Sequence, residues 1–366
     1  MIPLLKVNNF NFFSLCLLVK IFSLFLIFPY CVLPSNNILN DSSYISTNPG
    51  IGKFKLYHNG EVASILISSE DYNGVIYATH NLQNDIKEVT GKKPKIFFDT
   101  VNHYKEIILI GTLGKNKIIN ELIKNNRIDI SIINGKWESY IICVVEKPLK
   151  NVDKALVIVG SDKRGTIYGI YDLSEKIGVS PWYWWADVPI KRKKSIFINP
   201  GVYVNSEPKV KYRGIFINDE APALTGWAYE KFGGFNHKFY TKVFELILRL
   251  KGNFLWPAMW GKSFFTDDTL NPKLADEYGV VIGTSHHEPL MRAHVEWGKG
   301  PGTWNYQINE DTLKAFWTEG IKRMKNYESI ITLGMRGDGD EPMTEETNIE
   351  LLQRIVRDQR KIITDV

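Results

Sequence analysis

Four short apolar runs recur in the second half of the chain, and polar side chains follow each run at once. Helical segments separate the runs, so the order strand, polar end, helix is repeated four times. This order is typical of a (β/α) barrel, in which active sites collect at the carboxyl ends of the strands. The apolar runs occupy residues 212–217, 253–260, 280–285 and 329–334, and the helical segments lie at about 238–251, 274–278, 310–326 and 345–363.

The barrel predicted in this way is incomplete, because a (β/α)8 barrel needs eight units and this chain of 366 residues supplies four. An open sheet of this kind would leave the edge of its last strand unpaired. We therefore expect residues 206–366 to be the first half of a barrel. It would be the N-terminal portion of a longer protein, or a partner would complete it.

A small α/β domain is predicted ahead of the barrel, in residues 53–205. Strands and helices alternate in this region, and the apolar positions of the helices recur at helical spacing. The fold class of the whole chain is therefore α/β, an N-terminal α/β domain followed by half of a TIM-type barrel. The predicted strands of this domain are residues 63–68, 95–98, 106–111, 139–146 and 155–160, and its predicted helices are residues 74–89, 115–126 and 166–177.

The N-terminus has the composition of an export signal, with Lys6 ahead of a long apolar stretch. Lys20 divides that stretch, and its uninterrupted part, residues 21–33, is shorter than the roughly 20 apolar residues that span a bilayer. We expect a signal peptide at residues 1–34 and a secreted, extracellular protein. An uncleaved membrane anchor is the alternative. Residues 35–52 are rich in Asn, Ser and Gly and are predicted to be a linker.

Composition argues against two classes of site. The formal net charge is +5, and the basic run Lys191-Arg192-Lys193-Lys194 has no interleaved aromatic residues, so nucleic-acid binding is not expected. Cys143 is the one cysteine outside the predicted signal, which leaves no disulfide framework and no cysteine-based metal site. His294 follows His287 and Glu288 at a spacing unlike that of metalloproteases, and we expect no metal.

Acidic residues recur at the ends of two predicted barrel strands. Asp219 and Glu220 follow the first strand, and Asp338, Asp340 and Glu341 follow the fourth. Glycoside hydrolysis commonly uses two carboxyl groups that flank the scissile bond, one as an acid and one to activate water or attack directly. A lone acidic residue in a loop is usually a solvated charge. Acids that recur at equivalent strand ends beside His, Arg and Trp predict a hydrolytic site instead.

Other side chains at the strand ends suit an acidic sugar. Arg336 can pair with a substrate carboxylate in a planar contact, although an ion pair with a neighbouring Asp would also fit. His286 and His287 can donate hydrogen bonds to hydroxyls or a uronate, and in an extended segment only one of them would face the site. Trp256 and Trp260 would share one side of a strand. Sugar stacking is one interpretation and packing inside the barrel is the other, which we favour for Trp256.

Several long motifs in this region resemble those of glycoside hydrolase family 115, the xylan α-1,2-glucuronidases, and occur in the same order. The resemblance runs almost continuously from residue 211 to 361, and residues 160–165 and 180–189 resemble the N-terminal domain of the family. The most specific motifs are residues 212–222, 231–237, 255–261, 283–289 (Gly-Thr-Ser-His-His-Glu-Pro) and 334–342 (Gly-Met-Arg-Gly-Asp-Gly-Asp-Glu-Pro).

The resemblance implies an enzyme that removes glucuronic acid, or its 4-O-methyl form, from α-1,2 linkage on xylan, with inversion and without a cofactor. It implies that Asp219 and Asp340 are the candidate catalytic carboxylates, with the acid and base roles left open between them. Family members carry a complete barrel and further domains, so the alternative is a truncated, non-catalytic carbohydrate-binding remnant. The implied substrate-binding residues are Asn218, Trp260, His286 or His287, and Arg336.

Overall fold

The computed structural model of the chain describes residues 44–100, 103–298, 300, 302–338, 341–344 and 348–366. The predicted signal peptide, residues 1–34, and residues 35–43 of the predicted linker lie outside the described residues. Residues Leu39–Val366 form one compact unit. In the part of the chain that the structure describes, no helix has the length and apolar character needed to cross a bilayer.

The predicted linker is wrong at residues 44–46, which join the folded domain. Ile45–Ser46 forms strand β1 and pairs antiparallel with β9, Ser195–Ile198. The Tyr44 side chain is 3% exposed, and its hydroxyl donates a hydrogen bond of 2.8 Å to Asp172. Because these contacts are tertiary, the Asn- and Ser-rich composition of the segment did not reveal them. The same sheet contains β2 (Phe54–His58) and β3 (Glu61–Val62), in the order β1-β9-β2-β3.

The strands and helices predicted for the N-terminal domain are confirmed, and they build a sheet with helices on both faces. Within β4 (Ser64–Ile67), Ile65 and Ile67 join the core that contains α1 (Asn73–Thr90) and α3 (Lys163–Ile177). Leu66 faces the other core, which contains α2 (Lys117–Lys124). The sheet order is β10 (Val202–Asn205), β7 (Tyr140–Leu149), β8 (Val152–Gly160), β6 (Tyr104–Thr112), β4 (Ser64–Ile67) and β5 (Ile96–Phe98), and the helices are α1 (Asn73–Thr90), α2 (Lys117–Lys124) and α3 (Lys163–Ile177).

The four strands predicted in the second half form one parallel sheet in sequential order. They are β11 (Gly214–Phe216), β12 (Phe254–Trp256), β13 (Val281–Gly283) and β14 (Ser329–Ile330). Each strand is shorter than its apolar run. The intervening helices are α4 (Ala223–Phe232), α5 (His237–Arg249), α6 (Leu270–Tyr278), α7 (His294–Trp297) and α8 (Glu310–Met324), and α9 (Ile349–Asp365) follows β14.

A single buried carboxylate joins the N-terminal domain to the start of this parallel sheet. The Glu138 side chain is 0% exposed and accepts hydrogen bonds of 2.6 Å from Arg164 Nε, Arg213 Nη2 and Asn253 Nδ2. Arg213 immediately precedes β11, and Asn253 immediately precedes β12. Arg164 also donates to Glu328, the residue before β14, at 2.8 Å. The starts of three strands are therefore held by one connected set of charged and polar side chains.

We expect Glu138→Gln to lower the free energy of unfolding by about 3–5 kcal/mol, because Arg164 and Arg213 would lose the charge that compensates their partial burial. Urea unfolding at pH 7 measures this change. Glu88→Gln is the matched control, since Glu88 is half-exposed beside Lys87, and it should change the free energy by less than about 0.5 kcal/mol. Equal effects of the two substitutions would contradict the role of Glu138.

Candidate active site

Asp219 lies just beyond β11, at the carboxyl edge of the parallel sheet. Its side chain is 1% exposed, and its Oδ1 accepts hydrogen bonds from the backbone N–H groups of Met259 (3.0 Å) and Trp260 (3.3 Å). Thr225 donates to its backbone carbonyl. Its Oδ2 is buried and has no hydrogen-bond partner among the described residues. One oxygen of Asp219 therefore fixes the loop after β12, and the other retains unused hydrogen-bonding capacity.

Trp260 lies in the loop that Asp219 holds. The predicted strand that would place Trp256 and Trp260 on one side is wrong, because β12 ends at Trp256. The Trp260 side chain is 53% exposed, and its ring centroid lies 6.0 Å from that of His287. Trp256 instead packs against Phe216, with a centroid distance of 4.9 Å. Trp260 thus offers an accessible aromatic face of the kind on which sugar rings stack.

His286 and His287 lie side by side, with ring centroids 4.1 Å apart. The prediction that they point to opposite sides is wrong, since β13 ends at Gly283 and the two residues lie in a turn, not in an extended strand. His286 is exposed and His287 is half-buried next to Trp260. Both imidazoles thus lie at the same edge of the sheet as Asp219.

The segment that carries the two histidines is held rigidly. The Glu288 N–H donates to the carbonyl of Ser285 (2.9 Å), and Thr284 Oγ1 donates to the carbonyl of Glu288 (2.7 Å). Leu290 and Met291 follow with φ values of 52° and 62°, a left-handed conformation that is costly for residues other than glycine. Both side chains are fully buried, so packing maintains the strained backbone that follows residues 285–288, which we call the histidine turn.

Glu288 is a buried acid that the sequence reasoning did not select. Its side chain is 3% exposed, and its Oε2 accepts a hydrogen bond of 3.3 Å from the Ser285 N–H. Burial, with the neighbouring carboxylates of Glu296 and Asp219, raises the pKa of Glu288 to about 8 against the weaker opposing effects of Ser285 and Arg323. Its place directly after the histidine pair at a strand end was the available signal.

The remaining candidate residues lie in the loops after β11 and β14. Asn218 is exposed beside Asp219, and Arg336 is exposed in the loop after β14, where its carbonyl accepts a hydrogen bond of 2.8 Å from Trp304 Nε1. Asp338 pairs with His294 at 3.1 Å and is largely exposed. Asp340 lies outside the described residues. The described contacts therefore bring together Asp219, Trp260, His286 and His287, and they leave Asn218 and Arg336 at flanking positions.

The residues at this edge suit acid–base chemistry and hydrogen bonding to a sugar. Among the described residues, no group of three or more His, Cys, Asp and Glu side chains is arranged to hold a metal ion. The arrangement supplies a buried carboxylate, an accessible aromatic face and two imidazoles. These are components that a glycoside hydrolase uses to bind a sugar and transfer protons.

Comparison with known proteins agrees with this chemistry. A family model described as Glycosyl hydrolase family 115 matches residues 205–366, and one described as Glycosyl hydrolase family 67 N-terminus matches residues 53–173. A solved structure of a family 115 4-O-methyl-α-glucuronidase with specificity for decorated arabinogalactans is similar, with a TM-score of 0.74 and 33% identity. That match covers 85% of this chain and 41% of the other chain, so this chain spans less than half of its relative.

Two more distant structures also match. Chitobiase from Flavobacterium johnsoniae has a TM-score of 0.47 and 14% identity, over 88% of this chain and 50% of its own. A β-hexosaminidase from Streptomyces plicatus has a TM-score of 0.37 and 10% identity, over 65% of this chain and 44% of its own. No curated protein matches the chain.

We expect Asp219→Ala to lower the free energy of unfolding by about 1–3 kcal/mol, because the Met259 and Trp260 N–H groups would lose their acceptor. Asp219→Asn retains an acceptor oxygen at that position and should cost less than about 1 kcal/mol. Urea unfolding, followed by circular dichroism, distinguishes the two variants. If both substitutions cost the same, Oδ1 does not hold the Trp260 loop.

Proposed function

The chain belongs to glycosyl hydrolase family 115, and from that premise we propose that it removes α-linked glucuronic acid, or the 4-O-methyl form, from a polysaccharide. The observation that carries the proposal is Asp219, a buried carboxylate beside an exposed tryptophan and two imidazoles, whose Oδ2 has no hydrogen-bond partner in the described part of the chain. That set can bind a sugar ring and act on its glycosidic oxygen or on an attacking water.

The proposed reaction is a single displacement with inversion. One carboxyl group donates its proton to the leaving oxygen, while a second carboxylate removes a proton from the water that attacks the anomeric carbon from the opposite face. Asp219, which follows β11, and Asp340, which follows β14 in the sequence, are the two candidates. The burial of Asp219 supports a catalytic role for its carboxyl group, because the exclusion of water strengthens electrostatic interactions with the reacting atoms.

We assign recognition of the uronate to other polar and aromatic side chains that follow β11, β12, β13 and β14. Arg336 would hold the substrate carboxylate through paired N–H donors. Trp260 would stack on a sugar face, and Asn218, His286 and His287 would hydrogen-bond to hydroxyl groups. The exposure of Arg336, Trp260 and His286 supports these roles, because each can be reached by a ligand.

We further propose that the parallel sheet β11–β14 is the first half of a (β/α)8 barrel, with residues 1–34 directing export to a polysaccharide outside the cell. The sequential parallel order of the four strands, with helices between them, supports the barrel.

Xylan with α-1,2-linked uronic acid is the leading substrate. Arabinogalactan is the second candidate, because the similar family 115 structure is described as specific for decorated arabinogalactans.

The test is incubation of the full chain with glucuronoxylan oligosaccharides and, separately, with decorated arabinogalactan, with chromatographic detection of the released acid. Proton NMR should show the β-anomer of the free acid first, as inversion of an α linkage requires.

We expect Asp219→Asn to lower kcat by about 10²–10⁴-fold. We expect Arg336→Met to raise KM by roughly tenfold or more, and Arg357→Met, an exposed arginine on α9, to leave both constants unchanged.

The outcomes separate the competing hypotheses. Faster release from one polymer identifies the main chain that the enzyme acts on. Binding of the oligosaccharides without any release would favour a non-catalytic carbohydrate-binding protein. Release of a neutral sugar, or neither binding nor release, would overturn the proposed function.

A further inference from the structure

We propose that Glu288 is a positioning residue of this site, kept as an uncharged carboxylic acid at neutral pH, and that its ionisation sets the upper pH limit for uronate binding. The choice of a uronate as the ligand rests on the proposed function. The choice of Glu288 as the residue rests on the geometry of the histidine turn. Glu288 lies one residue beyond the histidine pair and is buried beneath the carboxyl edge of the sheet.

The positioning role follows from how Glu288 closes the turn. Its backbone N–H bonds to the Ser285 carbonyl at 2.9 Å, and its Oε2 accepts from the Ser285 N–H at 3.3 Å. Thr284 Oγ1 donates to the Glu288 carbonyl, so main chain and side chain both fix the ends of the turn. His286 and His287 are the two residues in between, and their orientation depends on this closure.

The charge state follows from comparison with Glu296, a second buried glutamate eight residues further along the chain. Glu296 accepts two hydrogen bonds of 2.7 Å from Arg323, and Arg292 lies 3.2 Å away. Burial acts to raise the pKa of Glu296, but the hydrogen bonds and charge of Arg323 outweigh it and hold that pKa below its usual range. Glu288 has no comparable cation in hydrogen-bond contact within the described residues, and its pKa rises to about 8.

The groups around Glu288 make its ionisation costly. Arg323, on α8, is the cation that lowers the pKa of Glu288, and its guanidinium is already engaged by Glu296 and the Met291 carbonyl. Negative charge comes from Asp219 after β11 and from Glu296 on α7, and neutral Tyr240 lies nearby on α5. His286 and His287 are the titratable groups of its own turn. Above about pH 8, a new negative charge would appear beside Asp219 and repel an anionic ligand.

Stability against pH tests the charge state without any ligand. The folded pKa of Glu288 lies above its unfolded value, so its contribution to stability is fully present below the unfolded pKa of about 4.5 and is lost as pH rises through about 8. Glu288→Gln cannot ionise. Its melting temperature should therefore rise relative to wild type by about 2 °C or more between pH 5 and pH 9. A constant difference across that range would overturn the proposed charge state.

Binding of D-glucuronic acid, measured by calorimetry at pH 7.5 and pH 9.5, where free imidazole is largely neutral at both values, tests the link to the ligand. Wild-type affinity should fall by roughly tenfold between the two pH values, and the affinity of Glu288→Gln should stay nearly constant. Glu288→Leu, which cannot accept from Ser285, should bind more weakly than Glu288→Gln at both pH values. Glu319→Gln removes an exposed carboxylate from the outer surface of α8 and should behave like wild type.

The two measurements fail in different ways. A fall in affinity that Glu288→Gln shares with wild type would overturn the inference, and so would equal binding by the Gln and Leu variants. If wild type binds no glucuronic acid at either pH, the proposed function is overturned. The stability comparison then decides the charge state of Glu288 independently.

Discussion

The buried carboxylate of Glu138 is the interaction on which the arrangement of the parallel sheet depends. It binds Arg213 and Asn253, which precede β11 and β12, and Arg164, which reaches Glu328 before β14. These strands contain only two or three residues. A displacement of the amino end of a strand would therefore move its carboxyl end by almost the same amount. The N-terminal domain therefore helps to position the carboxyl edge, where Asp219 and the histidine turn lie.

Much of this architecture could be predicted from the sequence because its signals are local. Short apolar runs with polar ends predicted β11 to β14 and their order, and they placed Asp219 at a strand end. The failures have tertiary causes. The strand β1 exists because Tyr44 is buried against Asp172, and the histidine rings are adjacent because Ser285 and Glu288 close a turn. Neither long-range burial nor turn closure leaves a periodic pattern in the sequence.

The first strand of the parallel sheet is unlike the others, because all three residues of β11 are exposed. Within the described residues, β11 pairs with β12 alone and β14 pairs with β13 alone. Ile215 and Phe216 thus present apolar surface and unpaired backbone groups at an open edge, which soluble proteins normally cover. In the proposed barrel, further strands would pair at both edges and would bring additional side chains to the same end as Asp219.

The two ends of the sheet treat buried charge in opposite ways. At the amino end, Glu138 is matched by two arginines, and Arg164 is shared with Glu328, so its charges serve to hold the strands. At the carboxyl end, as far as the structure describes the chain, Asp219 retains an oxygen without a hydrogen-bond partner and Glu288 lacks the cation that Glu296 has. Removing one partner of the compensated charges would leave a buried charge unpaired, whereas the uncompensated acids at the carboxyl end retain the capacity to act on a ligand.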